Sequence, residues 1–160
     1  YPNIPISQYP NIPISQYPTS INIAMTTSQI ILVKNSWRLL RQLSPELLVD
    51  TFYSKLFFDH PELRRMFPKK MDDQYKKLYD MLSAIVIRLE NLDSFHQELH
   101  DMAIRHEGYG VQPKHYAMVG SALLWTLEKG LGEDWTPDLA AAWTACYGLL
   151  VERMQVAVME

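Results

Sequence analysis

The sequence predicts an all-α domain, and three observations carry that expectation. From Thr27 onward apolar residues recur at spacings of three and four almost without a break. No segment alternates apolar and polar residues with the two-residue period of a strand, and no Asn-Gly hairpin signal occurs. Proline and glycine fall where helices start and stop, so they punctuate the chain without interrupting its helices. A length of 160 residues fits one domain with one sizeable core.

Taken in order, Ser28 is placed to cap a first helix whose inward positions are Ile30, Val33, Trp37 and Leu40. Ser44-Pro45-Glu46 opens a second, which carries Leu48, Val49, Phe52, Tyr53, Leu56 and Phe57 to about Phe58. Asp59-His60-Pro61 repeats the cap-then-proline pattern and starts a short third helix that ends at Met66-Phe67-Pro68. Pro68 keeps Phe67 from continuing it. A long fourth helix is expected from about Lys70 to Asn91, with an inward stripe of Gln74, Leu78, Met81, Leu82, Ile85 and Leu89. The fifth starts near Asp93-Ser94 and reaches His106. A sixth runs from Pro113 to about Lys129 through Tyr116, Val119, Gly120, Leu123 and Leu127. The last, from about Pro137, turns Leu139, Trp143, Tyr147, Leu150 and Met154 toward the core, which makes seven helical stretches in all.

Residues 1–24 differ from the rest. The octapeptide YPNIPISQ occurs at Tyr1–Gln8 and again at Tyr9–Gln16, and a third start at Tyr17-Pro18 trails off. Proline every few residues forbids a helix, so this Pro-rich tandem repeat is expected to be extended, a leader or appended extension ahead of a domain over 25–160. It carries no Lys or Arg and no unbroken apolar run, which fits neither a secretory signal nor a membrane anchor. A net charge of -3 and a pI near 6.0 leave no footprint for nucleic acid. One cysteine, Cys146, forms no internal disulfide and suits a reducing, cytoplasmic setting. Its neighbours Trp143, Tyr147 and Leu150 mark it as a small buried hydrophobe.

The chemistry concentrates between Leu99 and Tyr116. Leu99, Met102 and Ala103 share one helical face and His106 falls on the same face, so an imidazole ends an apolar stripe. Gly108 and Gly110 then stop the helix, Val111 turns the corner and Pro113 opens the next. An inward histidine is either a core residue satisfied by carbonyls or a ligand. In the same way Tyr53 and Gln74, each taken alone, also read as a core phenol and a partly exposed amide. His96 and His100 lie four apart on one face, and His106 sits ~240° around from His100, so the three cannot meet on one metal. That pair, and the runs Lys69-Lys70 and Lys76-Lys77, read as solvated helix surface.

The segments FYSKLF (52–57), HPELRRMFP (60–68), DQYKKL (73–78), IRHEGYGVQPKHYAMVG (104–120) and AAWTACYGLL (141–150), in this order and spacing, resemble globins. The likeness is to single-domain bacterial haemoglobins and the haem domains of flavohaemoglobins, and covers about Gln29 to Ala157. It implies a globin fold around haem b, with His106 as the proximal iron ligand and Tyr53, Gln74 and Leu78 above the opposite face. It also implies Phe67 wedged against the porphyrin, Tyr116 near the proximal imidazole and Arg105 at a propionate, with Phe57, Val111 and Val119 completing the pocket. Flavohaemoglobins carry a glutamate near the end of the last helix that pairs with the proximal histidine and tyrosine. An ungapped alignment puts Val158 there, with Glu152 and Glu160 out of register. No flavin or nicotinamide domain follows Glu160 in this sequence.

A phenol and an amide above ferrous haem both donate to bound dioxygen. The resemblance therefore implies a high-affinity binder of O2, NO or CO in the cytoplasm, without membrane or nucleic-acid partners, as a monomer or weak homodimer. Oxygen held so tightly makes poor cargo and a good reagent, which makes nitric oxide dioxygenation or weak peroxidase work with an external reductase the enzymatic alternative. A third reading is a globin-fold sensor or interaction module.

Overall fold

The structure, a computed structural model, describes residues 24–159. The repeat expected to be extended lies outside these residues. Among the described residues there are six α-helices: α1 Thr27–Leu40, α2 Pro45–Asp59, α3 Asp72–Ile87, α4 His96–Gly108, α5 Pro113–Leu131 and α6 Pro137–Met159. Three 3-10 segments, Pro61–Met66, Leu89–Phe95 and Gly132–Asp134, join them, and no strand is present among the described residues.

Local chemistry explains the boundaries. Thr26, and not Ser28, caps α1: its hydroxyl accepts from the Gln29 N–H at 3.1 Å while Gln29 Oε1 accepts from the Thr26 N–H at 3.1 Å. This reciprocal pair satisfies two of the donors that a helix start leaves open, which a serine inside the first turn cannot do. Ser44 caps α2, with Pro45 at its first position. His60 precedes Pro61 without a side-chain cap, because α2 has already absorbed Asp59.

The expected helix over 70–91 is shorter. It starts at Asp72, where Asp72 and Asp73 sit against its positive end, and it stops at Ile87. Leu89–Phe95 is 3-10 with a break at Asn91 (φ -144°, ψ 69°), so α4 begins at His96 and not near Asp93. Leu89, Leu92 and Phe95 are all buried at every third position, the spacing that eclipses side chains on a three-residue turn.

α6 packs against α1, α4 and α5, α2 packs against α5 and α3, and α1 also meets α3 and α5. The core between them holds Val33, Trp37, Leu40, Leu56, Leu127, Ala142 and Trp143, all nearly inaccessible. A long-range buried polar link within it is Trp143 Nε1–H donating to Ser36 Oγ at 2.9 Å, whose hydroxyl in turn donates to the Val33 carbonyl. Cys146 is buried among these residues, which pushes its thiol up to about 12. It stays protonated and behaves as the small hydrophobe expected of it.

Candidate functional site

A cavity of about 610 Å³ opens among α2, α3, α4, α5 and α6. Its size lies within the ~300–1,000 Å³ typical of cofactor pockets, and its walls are mainly apolar: Leu56, Leu78, Met81, Ile85, Val119, Leu123 and Leu150 among others. Into these walls are set polar groups: Tyr53, Gln74, His106, Arg105, Lys77, His115, the carboxylate of Asp80 and the phenols of Tyr109, Tyr116 and Tyr147.

His106 stands in the last turns of α4, and its ring Nδ1 lies 2.8 Å from the Met102 carbonyl. A carbonyl only accepts, so Nδ1 carries the hydrogen and Nε2 keeps its lone pair. Burial is the main reason the imidazole is held below its usual pKa, with Arg105 adding to it and the carbonyl bond opposing. The neutral, ligating form is thereby favoured.

The end of α4 is fixed just beyond this residue. Gly110, at φ +84°, lets its own N–H reach the Glu107 carbonyl at 3.0 Å and the Val111 N–H reach the His106 carbonyl at 3.0 Å. These are the two bonds of a Schellman stop. Gly110 therefore ends the helix, whereas Gly108 remains inside it.

Tyr53 is 3% exposed, and burial pushes its phenol up to about 12. Gln74 Nε2 donates to Tyr53 Oη at 3.2 Å. The phenol oxygen is thus already an acceptor, and its own O–H is left to donate elsewhere. Four rings hold it in place: Phe52 (4.9 Å between centroids), Phe57 (5.7 Å), Phe67 (5.5 Å) and Tyr75 (5.4 Å). Phe67 is extended (φ -118°, ψ 155°), as the following proline requires. Arg64 grips the carbonyls of Pro68 and Lys69 at 2.8 and 3.0 Å and lies over the Phe57 ring, which fixes that corner.

The donor set suits a flat apolar group with a metal centre and acidic substituents. One unprotonated imidazole nitrogen belongs to a largely apolar cavity, and the cationic or polar side chains Arg105, Lys77 and His115 line the same space and outnumber its one carboxylate, the exposed Asp80. A globin family model matches residues 50–154 of the chain.

The chain belongs to the globin family.

This globin is 30% identical over 131 residues to the flavohemoprotein of Vibrio cholerae, covering 80% of this chain and 33% of that protein. It is 29% identical over 126 residues to the flavohemoprotein of Bacillus subtilis, covering 77% and 31% respectively. The chain thus spans about a third of the length of the flavohemoproteins it matches. Among solved structures, a bacterial globin from Campylobacter jejuni superposes with TM-score 0.73 at 26% identity, covering 84% of this chain and 97% of that one. An engineered carbene transferase from Rhodothermus marinus gives TM-score 0.73 at 27% identity, covering 85% and 98%. Membership of the globin family supports haem as the group this fold holds.

Of the residues singled out in the sequence, Tyr53, Phe67, Gln74, Leu78, Arg105, His106, Val111, Tyr116 and Val119 all line the one cavity. Phe57 does not: it stands one layer back, stacked behind Tyr53 and edge-on to Phe67 at 5.3 Å. Tyr116 lines the wall, but the imidazole N–H goes to Met102 instead, and Tyr116 offers its backbone carbonyl to the Tyr147 hydroxyl at 2.6 Å. Val158 is exposed near the end of α6, while Val151 and Met154 of that helix reach the cavity, so among the described residues of α6 no carboxylate lines it.

Lys77, Asp80 and His115 are polar liners that the sequence reading did not single out. Lys77 and Asp80 are exposed, as solvated surface should be, and also line the cavity. His115 accepts from the Gln112 N–H through Nδ1 at 2.9 Å, which leaves its other ring nitrogen as the N–H donor. A histidine three residues after the helix-capping position is the available signal. His96 is exposed and His100 half-buried, with rings 6.4 Å apart, and no cluster of three metal-ligating side chains occurs among the described residues.

Proposed function

We propose that this globin holds haem b through His106 and binds dioxygen, nitric oxide or carbon monoxide beneath Tyr53 and Gln74. The observation that carries the reading is the Tyr53–Gln74 pair in the same cavity as His106 Nε2. Bound there, the haem would supply an iron able to take a diatomic ligand. His106 donates the Nε2 lone pair, and Met102 fixes its tautomer. Arg105, Lys77 and His115 supply the positive charge and the N–H donor that two propionates need.

Across the cavity, Tyr53 presents an O–H and Gln74 keeps a second amide N–H for a polar diatomic ligand. Each such bond contributes roughly 1 kcal/mol net, and about 1.4 kcal/mol is a factor of ten in dissociation constant. Two donors therefore favour slow release of dioxygen.

Slow release favours use of the oxygen as a reagent. The flavohemoprotein relatives, together with the phenol–amide pair, support nitric oxide dioxygenation as the second reading. Turnover then needs a reductase to restore ferrous iron, either a separate protein or part of a longer polypeptide. No described helix is long and apolar enough to cross a membrane. We place the activity in the cytoplasm and in a monomer or weak homodimer.

Mixing the oxygenated protein with nitric oxide tests both readings. Rapid stoichiometric nitrate formation supports dioxygenation, survival of the oxygenated spectrum leaves only ligand binding, and failure to form an oxygenated species contradicts both.

A further inference from the structure

Tyr75 follows Gln74 on α3 and turns away from the cavity. Its ring lies parallel to that of Tyr53, 5.4 Å between centroids and 6° between planes. Its hydroxyl donates to Asp50 Oδ1 at 2.7 Å, and Asp50 is exposed on α2. Two stacked phenols therefore run from the cavity wall to a surface carboxylate.

We propose that Tyr75 is a redox-active phenol that passes an electron through the Tyr53 ring to an oxidant in the cavity while its proton moves to the Asp50 carboxylate. The proposal rests on the haem reading above, and the oxidant is a haem that a hydroperoxide has oxidised. That hydroperoxide takes two electrons from the bound haem and two protons from solvent, leaving an alcohol (or water) and one water. Tyr75 then returns one electron: its phenolic O–H bond breaks, the proton protonates Asp50, and a neutral phenoxyl radical remains. A one-electron surface reductant such as a hydroquinone restores the phenol, with the proton coming back from Asp50 and the hydroquinone's own proton released to solvent, and a second round of the same transfer returns the second electron.

The two phenols differ in what receives their protons. Tyr53 is 3% exposed and its partner Gln74 donates to it, so its oxidation leaves a proton with no base to take it. The Tyr147 hydroxyl donates to a backbone carbonyl, which is no base either. Among the described residues Tyr75 is the phenol bonded to a carboxylate, and it is half-buried, within reach of a reductant. Burial first, then the bond to Asp50 and its charge, with Tyr53 and Asp72 as the other titratable groups facing it, raise its pKa to about 12. The proton is therefore held until the ring loses an electron, which makes a phenol far more acidic. Tyr53 conducts and Tyr75 stores.

The test uses the full chain loaded with ferric haem, mixed with hydrogen peroxide and freeze-quenched for electron paramagnetic resonance. A tyrosyl signal that narrows when the protein contains ring-deuterated tyrosine is expected. Tyr75→Phe, which keeps the stack, should lose most of it. Asp50→Asn, which keeps an acceptor but removes the base, should lower the radical yield and slow hydroquinone oxidation. An undiminished tyrosyl signal in Tyr75→Phe beside a normal Soret band overturns the relay alone, as does equal yield in Asp50→Asn. Absence of a Soret band in the parent protein overturns the haem reading and the relay with it.

Discussion

Tyr53 gives its oxygen to the Gln74 amide and its ring to four aromatic neighbours, which leaves the O–H as the mobile part of the site. Tyr53→Phe keeps the ring packing and removes that donor. We expect dioxygen to leave about tenfold faster, equivalent to about 1.4 kcal/mol, in a stopped-flow displacement by carbon monoxide. Gln74→Leu should cost less, because the phenol then keeps its O–H for the ligand. At this scale much of the site was legible: helical spacing turned His106, Gln74 and Leu78 inward, and Pro68 set Phe67 at its corner. What stayed hidden depends on reach. Lys77 belongs to a charged run, and only its long stem brings it to the cavity. Tyr116 was legible as a liner, but the choice of imidazole partner was not, because a carbonyl four residues back is available to any helical histidine.

The helices are positioned by close approaches that leave no room for a side chain. A Cβ on Gly120 would lie 2.6 Å from Tyr147 Cε1, so α5 and α6 meet there with only hydrogen between them. Gly120→Ala must push the Tyr147 ring aside and weaken its bond to the Tyr116 carbonyl. Thermal or urea denaturation should show a loss of about 1–3 kcal/mol. Gly110→Ala meets open space but is strained by φ +84°, and it should cost about 1 kcal/mol while loosening the end of α4 beyond His106. The glycine corner was visible as a pattern in the sequence. The early end of α3 was not, because no proline or glycine interrupts 87–95 and Leu89 continues the four-residue rhythm of Ile85. The three-residue spacing of Leu89, Leu92 and Phe95 was the overlooked cue.

Across the whole molecule, folding raises several weak acids at once: Tyr53 and Cys146 to about 12, with Tyr147 and Tyr116 moved the same way, all chiefly by burial. Their folded forms bind protons more tightly than the unfolded chain does. The associated stability is fully present below the unfolded values near 9 and 10 and is lost as pH rises toward 12, at about 1.4 kcal/mol per unit for each well-buried group. The urea midpoint should accordingly hold steady near neutrality and fall from about pH 9 upward, more steeply above about pH 10. A midpoint unchanged to pH 12 would contradict the burial of these groups. The all-α architecture itself followed from periodicity and punctuation, since both are properties of the backbone and of apolar spacing. What the cavity holds did not follow from them; there the argument needed the register of several separated segments and the family they resemble.

The most direct test is titration of the haem-free chain with haemin, run beside His106→Gly with and without added imidazole. One haem per chain is expected, with a Soret band whose ferrous spectrum shows a single histidine ligand. That ligation should be lost in His106→Gly and restored by imidazole. A Soret band and ferrous spectrum unchanged in His106→Gly, or no Soret band in the parent chain, would contradict the assignment of His106 as the ligand around which this site is built.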